Sequence, residues 1–87
     1  MIRISHQAEK QLKHISKIDQ IILAKKIRTL SALQHIPNAT KLEGYKDIYR
    51  IRIGDCRIVY RKRAGDVFIV LIGYRKDVYD QLDRMIL

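Results

Sequence analysis

The sequence predicts an α+β fold: a small antiparallel sheet with an N-terminal helical hairpin on one face and a short C-terminal helix, in the order β-α-α-β-β-β-α. Three observations predict it. Apolar residues recur at helical spacing through the first 36 positions. From Ile48 the period changes to two. Between two alternating runs stands Gly54-Asp55, a dipeptide suited to a two-residue hairpin turn. Eighty-seven residues leave room for one small domain, 1–87.

Taken in order, Met1 to Ile4 reads as a short strand with Ile2 and Ile4 on one side and Arg3 on the other. Ser5 is the expected N-cap of a helix over about 6–16. Glu9 lies in its first turn, and Ala8, Leu12 and Ile15 lie on its apolar stripe. Ser16 followed by Asp19 resembles a capping box for a second helix. That helix is expected to reach about His35, burying Leu23, Ile27 and Leu30, before Pro37 and Asn38 end it. Helices joined this closely form an antiparallel hairpin.

Lys41 to Asp47 reads as a loop or short edge segment containing Gly44. Ile48–Ile53 and Cys56–Arg61 are the hairpin strands, and Lys62 to Asp66 makes a second turn. Val67–Ile72 is apolar on both faces and is expected to be a central strand. Gly73 to Lys76 then leaves the sheet, and Asp77 caps a C-terminal helix carrying Val78, Leu82 and Met85.

Composition narrows the function classes. Eighteen Lys/Arg stand against nine Asp/Glu, a net charge of +9, which points to a polyanionic partner. The single cysteine, Cys56, permits no internal disulfide, as is usual in a reducing cytoplasm. The N-terminus has no long apolar stretch of the secretory kind. The longest apolar run, Val67–Ile72, is six residues against the ~20 a membrane-spanning helix needs. Cytoplasmic location without a membrane partner is therefore expected.

The charge is unevenly placed. Residues 1–36 hold seven Lys/Arg and two acids. Residues 41–63 hold eight and three in a shorter span, whereas 64–87 are slightly acidic. The helical lysines Lys10, Lys13, Lys17, Lys25 and Lys26 read first as a solvated face, with general attraction to RNA as their functional reading.

A Gly54-Asp55 turn without a bulge sets the pairing. Ile53 then faces Cys56, Arg52 faces Arg57, Ile51 faces Ile58, Arg50 faces Val59 and Tyr49 faces Tyr60. Opposed residues share a face. One face is thus Tyr49, Ile51, Ile53, Cys56, Ile58 and Tyr60, suited to packing on the helices. The other gathers Arg50, Arg52 and Arg57 around Val59. Opposed like charges cost up to ~1 kcal/mol, a repulsion that a bound anion relieves, and arginine forks match phosphate oxygens. The alternative is that the arginines turn outward and pair with Asp47, Asp55 or Asp66. Arg75 and Tyr79 follow the last strand. They either overhang the arginine face, where a tyrosine stacks on a base, or serve the fold, Arg75 pairing with Asp77 and Tyr79 packing on the sheet.

Other chemistry is weakly represented. His6, His14 and His35 have no partner at ligand spacing, and no Cys cluster, HExxH or paired-carboxylate signature exists. No metal or cofactor is expected. Cys56 falls on the apolar face and reads as core.

The run Lys41-Leu42-Glu43-Gly44, the block Ile48 to Tyr60 and the segment Val70 to Tyr79 together resemble the RelE/ParE toxin superfamily, and the resemblance covers essentially the whole chain. It implies the toxin of a type II toxin–antitoxin pair, with a cognate antitoxin as partner and operator DNA contacted only as the complex. In the RelE branch it further implies a ribosome-dependent endoribonuclease that cuts mRNA in the A site by 2′-hydroxyl attack, without metal. On that reading Arg57 and Arg75 stabilise the phosphorane charge. Tyr79 orients the base or helps remove the 2′-hydroxyl proton, and Arg50 and Arg52 hold phosphate and aid proton transfer to the leaving oxygen. Lys10, Lys13, Lys17, Lys25, Lys26, Arg61 and Tyr74 are the expected RNA or ribosome contacts. Two departures stand out. Some relatives have lysine at 50 and 52, and arginine stays protonated where lysine can exchange a proton. Tyr74 stands where relatives often have histidine, and a second stacking surface is one reading of it. The rival readings are a ParE-like toxin that poisons DNA gyrase without cutting RNA, and a passive RNA-binding module or a toxin that has lost activity.

Overall fold

The computed structural model describes residues 1–32, 36 and 38–74. Strand β1 (Ile2–Ile4) leads into helices α1 (His6–Lys13) and α2 (Lys17–Ala32). Four strands follow: β2 (Ala39–Lys41), β3 (Ile48–Ile53), β4 (Cys56–Arg63) and β5 (Asp66–Tyr74). They form one sheet in the order β1-β5-β4-β3-β2. The α+β class is as predicted, with β5 an interior strand between β1 and β4. The expected C-terminal helix from Asp77 lies outside the described residues.

Three features differ from expectation. The sheet is mixed, because β1 pairs parallel to β5, Ile2 opposite Val67. Local alternation carries no trace of a partner 65 positions away. The segment expected over Lys41 to Asp47 as a loop or short edge segment is an edge strand that lies earlier, Ala39–Lys41, antiparallel to β3. Gly73 and Tyr74 remain within β5, opposite Arg57 and Cys56, instead of leaving the sheet.

Both helix starts follow the sequence. The Ser5 hydroxyl accepts from the Ala8 N–H at 2.9 Å, satisfying a donor that a helix N-terminus leaves open. The Ser16 hydroxyl accepts from the Asp19 N–H at 3.2 Å. The α1 helix stops at Lys13, short of the expected 16, where the His14 N–H bonds the Gln11 carbonyl. The last turn of α2 contains no basic residue. Lys62 supplies one from the sheet, donating to the Leu30 carbonyl at 2.6 Å, where a cation is favoured by the helix dipole.

The main core lies between the helices and one sheet face. Ala8, Ile15, Leu23 and Leu30 meet Ile51, Cys56, Ile58, Tyr60, Val67, Ile69 and Ile72. The spacing along β5 changes from two to three after Ile69, and the β4–β5 register shifts at that point: Tyr60 faces Ile69 but Val59 faces Leu71. Val70 is the extra residue of a β-bulge. The bulge keeps Val67, Ile69 and Ile72 on the helix side while Val70 and Leu71 join Ile48 and Val59 in a second cluster. Both faces of β5 are therefore apolar, as predicted, by a device the alternation did not reveal.

β1 pairs with β5 only as far as Ile69. Beyond that point α1 completes the ladder. The Ser5 N–H donates to the Ile69 carbonyl at 2.8 Å, and the Ser5 hydroxyl donates to the Val70 carbonyl at 2.6 Å. The Gln11 side-chain carbonyl accepts from the Ile72 N–H at 2.9 Å. Strand groups that would otherwise lack partners are thus satisfied by the first helix.

Candidate active site

The site grows from the β3–β4 hairpin. Gly54 has φ +60, a conformation that glycine adopts at little cost, and the two-residue turn sets every pair from Ile53–Cys56 to Tyr49–Tyr60. Arg52 faces Arg57 and Arg50 faces Val59, so all three arginines share the face away from the helices. On that face the floor is the second apolar cluster, in which Ile48, Val59, Val70 and Leu71 are buried under Leu42 and Tyr45.

A cleft of about 660 Å³ lies among Arg50, Arg52 and Arg57, with Asn38 and Thr40 forming its outer wall. Thr40 stands opposite Arg50 on β2. This wall was missed at sequence level. Its one local signal is Asn38, placed at φ +69, a region asparagine tolerates better than most residues.

Among the described residues no carboxylate lines the cleft. Asp47 pairs with Arg63 at 3.1 Å and Asp66 with the N-terminal ammonium at 3.3 Å. Two of the three acids considered as partners for the arginines are thus engaged elsewhere. The Arg52 Nε–H donates to the Gly54 carbonyl at 3.3 Å, which ties this exposed side chain to the turn. Arg57 is half-buried, and its buried Nε and Nη1 have no hydrogen-bond partner among the described residues. Its neighbour on β5 is Gly73, which has no side chain to fill the adjoining space. A buried, unsatisfied guanidinium is costly, and an oxyanion satisfies it with charge-assisted hydrogen bonds.

The remaining expected site residues are distributed differently. Arg61 lies on the same face as Arg57, four residues along β4, in a separate cleft. Tyr74 lies on the helix side opposite Cys56, where its hydroxyl donates to Asp19 at 3.3 Å. It is not brought to the arginine cleft. Lys10, Lys13, Lys17 and Lys25 are exposed and Lys26 is half-buried, all on the helical layer across the sheet from that cleft. Arg75 and Tyr79 lie outside the described residues.

The titration of the helix-side groups fits packing. Burial raises the Cys56 thiol above its usual value, consistent with a core residue 2% exposed. Burial, with a contribution from Tyr49, pushes Tyr60 up to about 12. The two rings stack at 5.7 Å between centroids. Desolvation also raises the Tyr74 hydroxyl above its usual value. Among the described residues no three His, Cys, Asp or Glu side chains converge, and no helix is long and apolar enough to cross a membrane.

Residues 2–79 match the family described as ParE toxin of type II toxin–antitoxin system, parDE. The chain belongs to that family, within the RelE/ParE toxin superfamily. Its fold is similar to the isolated E. coli RelE toxin, with a TM-score of 0.73 and 25% identity over 100% of this chain and 98% of that one. It is similar to the archaeal RelE–RelB complex from Pyrococcus horikoshii, with a TM-score of 0.68 and 25% identity over 86% and 93%. It also shares the fold of the RelB–RelE antitoxin–toxin complex from Methanococcus jannaschii, with a TM-score of 0.75 and 22% identity over 90% and 95%. No curated protein matches.

Proposed function

We propose that this toxin, a single domain over 1–87, is a ribosome-dependent endoribonuclease that cuts mRNA in the A site. The observation that carries the reading is Arg57: among the described residues its buried Nε and Nη1 have no hydrogen-bond partner, and no carboxylate lines the cleft it shares with Arg50 and Arg52. A phosphodiester fits this charge and fork geometry.

In the proposed reaction the 2′-oxygen attacks the adjacent phosphorus and the bond from phosphorus to the 5′-oxygen breaks. The products are a 2′,3′-cyclic phosphate and a free 5′-hydroxyl. The 2′-hydroxyl proton passes to solvent, and the leaving 5′-oxygen takes one from solvent. Arg57 stabilises the negative charge that grows on the phosphoryl oxygens, the kind of preorganised stabilisation worth ~10²–10³ in rate. Arg50 and Arg52 hold the scissile phosphate as fixed cations. Arg75 and Tyr79 join them on the strength of the family resemblance, the first as a second charge stabiliser and the second as a base-orienting ring. The chemistry is electrostatic and needs no metal.

Regulation follows from the same charge. A cognate antitoxin with an acidic, partly disordered segment would neutralise the cleft and fold on binding. Relatives solved as antitoxin complexes support such a partner. Operator DNA would be met only as that complex, and the site of action is the cytoplasm.

A second reading is favoured by one observation, the ParE description of the matching family: a toxin that poisons DNA gyrase and cuts no RNA. Mapping mRNA ends after induction separates the two. Cuts within translated codons support the ribonuclease. Cleaved DNA trapped with purified gyrase, with intact mRNA, supports the second reading and overturns the first.

A further inference from the structure

The arginine face carries a second cationic cleft toward the opposite end of β4. Arg3 on β1, Phe68 on β5 and Arg61 on β4 stand in one row across three strands, Arg3 opposite Phe68 and Phe68 opposite Arg61. Together they line a cleft of about 190 Å³. Phe68 is 38% exposed, whereas its strand neighbours Val67 and Ile69 are buried. The Arg61 Nε is buried and has no hydrogen-bond partner among the described residues. Asp66 lines the same cleft, but its carboxylate meets the N-terminal ammonium at 3.3 Å. The fold therefore holds an exposed ring between two guanidinium groups, one of them incompletely satisfied.

We propose that this cleft is a nucleotide subsite for single-stranded RNA, in which one base stacks on Phe68 and the adjoining phosphates lie against Arg3 and Arg61. The proposal rests on the RNA-cutting reading of the arginine cleft and extends the substrate path beyond it. Arg61 is four residues from Arg57 on one strand, which is about 13 Å at strand rise. A strand of RNA held at both points runs along β4, past Leu42 and Tyr45, which pack against the cluster that holds Val59. The aromatic ring favours RNA over an acidic peptide. A peptide carboxylate uses the arginines alone, whereas every base offers a face to a ring flanked by cations.

The test uses the full-length protein and a 2′-O-methylated RNA of about a dozen nucleotides, which cannot be cut. Affinity is read by fluorescence anisotropy at low salt. Phe68→Ala should weaken binding about 5- to 100-fold. Phe68→Leu, which keeps apolar bulk, should weaken it similarly, and Phe68→Trp should restore it. Arg3→Ala should lower the magnitude of the salt slope by about 0.7. Cleavage on translating ribosomes is measured in parallel. Unchanged RNA affinity in Phe68→Leu and Arg3→Ala, with wild-type cleavage intact, overturns the subsite and leaves the ribonuclease reading standing. Loss of cleavage chemistry in the wild type with the Phe68 pattern preserved does the reverse. An acidic peptide that requires Phe68 while RNA does not would assign the patch to a protein partner and overturn the proposal.

Discussion

Arg52 and Arg57 stand directly opposite one another on β3 and β4, and no carboxylate among the described residues lines the cleft they share. A folding constraint alone would select against this pair, since opposed like charges destabilise a sheet. Replacing the exposed partner, Arg52→Thr, should raise stability by up to ~1 kcal/mol, read from the urea midpoint at unchanged slope. The same variant should lose activity. A midpoint that falls instead would show that the bond from Arg52 to Gly54 outweighs the repulsion.

The chemistry assigned to this cleft has a pH signature. Arginine stays protonated throughout the accessible range, so Arg50, Arg52 and Arg57 supply charge and no general base near neutrality. Single-turnover cleavage should rise steadily from pH 6 to about 9, following ionisation of the 2′-hydroxyl. A bell-shaped profile with a limb near pH 6.5 would instead reveal a titrating base and contradict the assignment.

Ser5 and Gln11 complete the β5 ladder where β1 ends. Gln11→Leu leaves the Ile72 N–H without its acceptor and should cost about 1–3 kcal/mol. Ser5→Ala removes both the cap of α1 and the bond to the Val70 carbonyl, and should cost about 1–2 kcal/mol. Denaturant unfolding checks both, and hydrogen exchange should show the Ile72 amide losing protection in the glutamine variant.

Tyr60 gives an alkaline limit to stability. Its hydroxyl titrates near 10 when unfolded and at about 12 in the fold. Below pH 10 both states keep the proton and the contribution is constant. Between pH 10 and about 12 the unfolded state ionises first, so stability falls as pH rises. Tyr60→Phe should flatten that fall, measured as the urea midpoint against pH.

Much of this arrangement was legible in the chain because it is local. A two-residue turn at Gly54-Asp55 determines pairing for the whole hairpin, so three arginines could be assigned to one face from spacing alone. The Ser5 and Ser16 caps depend on groups three residues away. What escaped is non-local or aperiodic. β1 finds its parallel partner 65 positions on, through packing that three residues cannot announce. The Val70 bulge is hidden in a run that is apolar on every position. Tyr74 keeps to the helix side because β5 extends to it, whereas the chain was expected to have left the sheet. The cleft wall at Asn38 and Thr40 depends on an edge strand too short to carry a period.

The central claim is that the Arg57 cleft cuts mRNA, and mapping of mRNA 5′ ends after induction tests it most directly. Wild type and Arg57→Ala are run side by side, with Lys13→Ala as the distant cationic control. The account predicts new ends within translated codons for wild type, roughly 10²-fold fewer for Arg57→Ala, and a far smaller loss for Lys13→Ala. Growth arrest by the wild type with no new ends, or equal losses in the two variants, would contradict it.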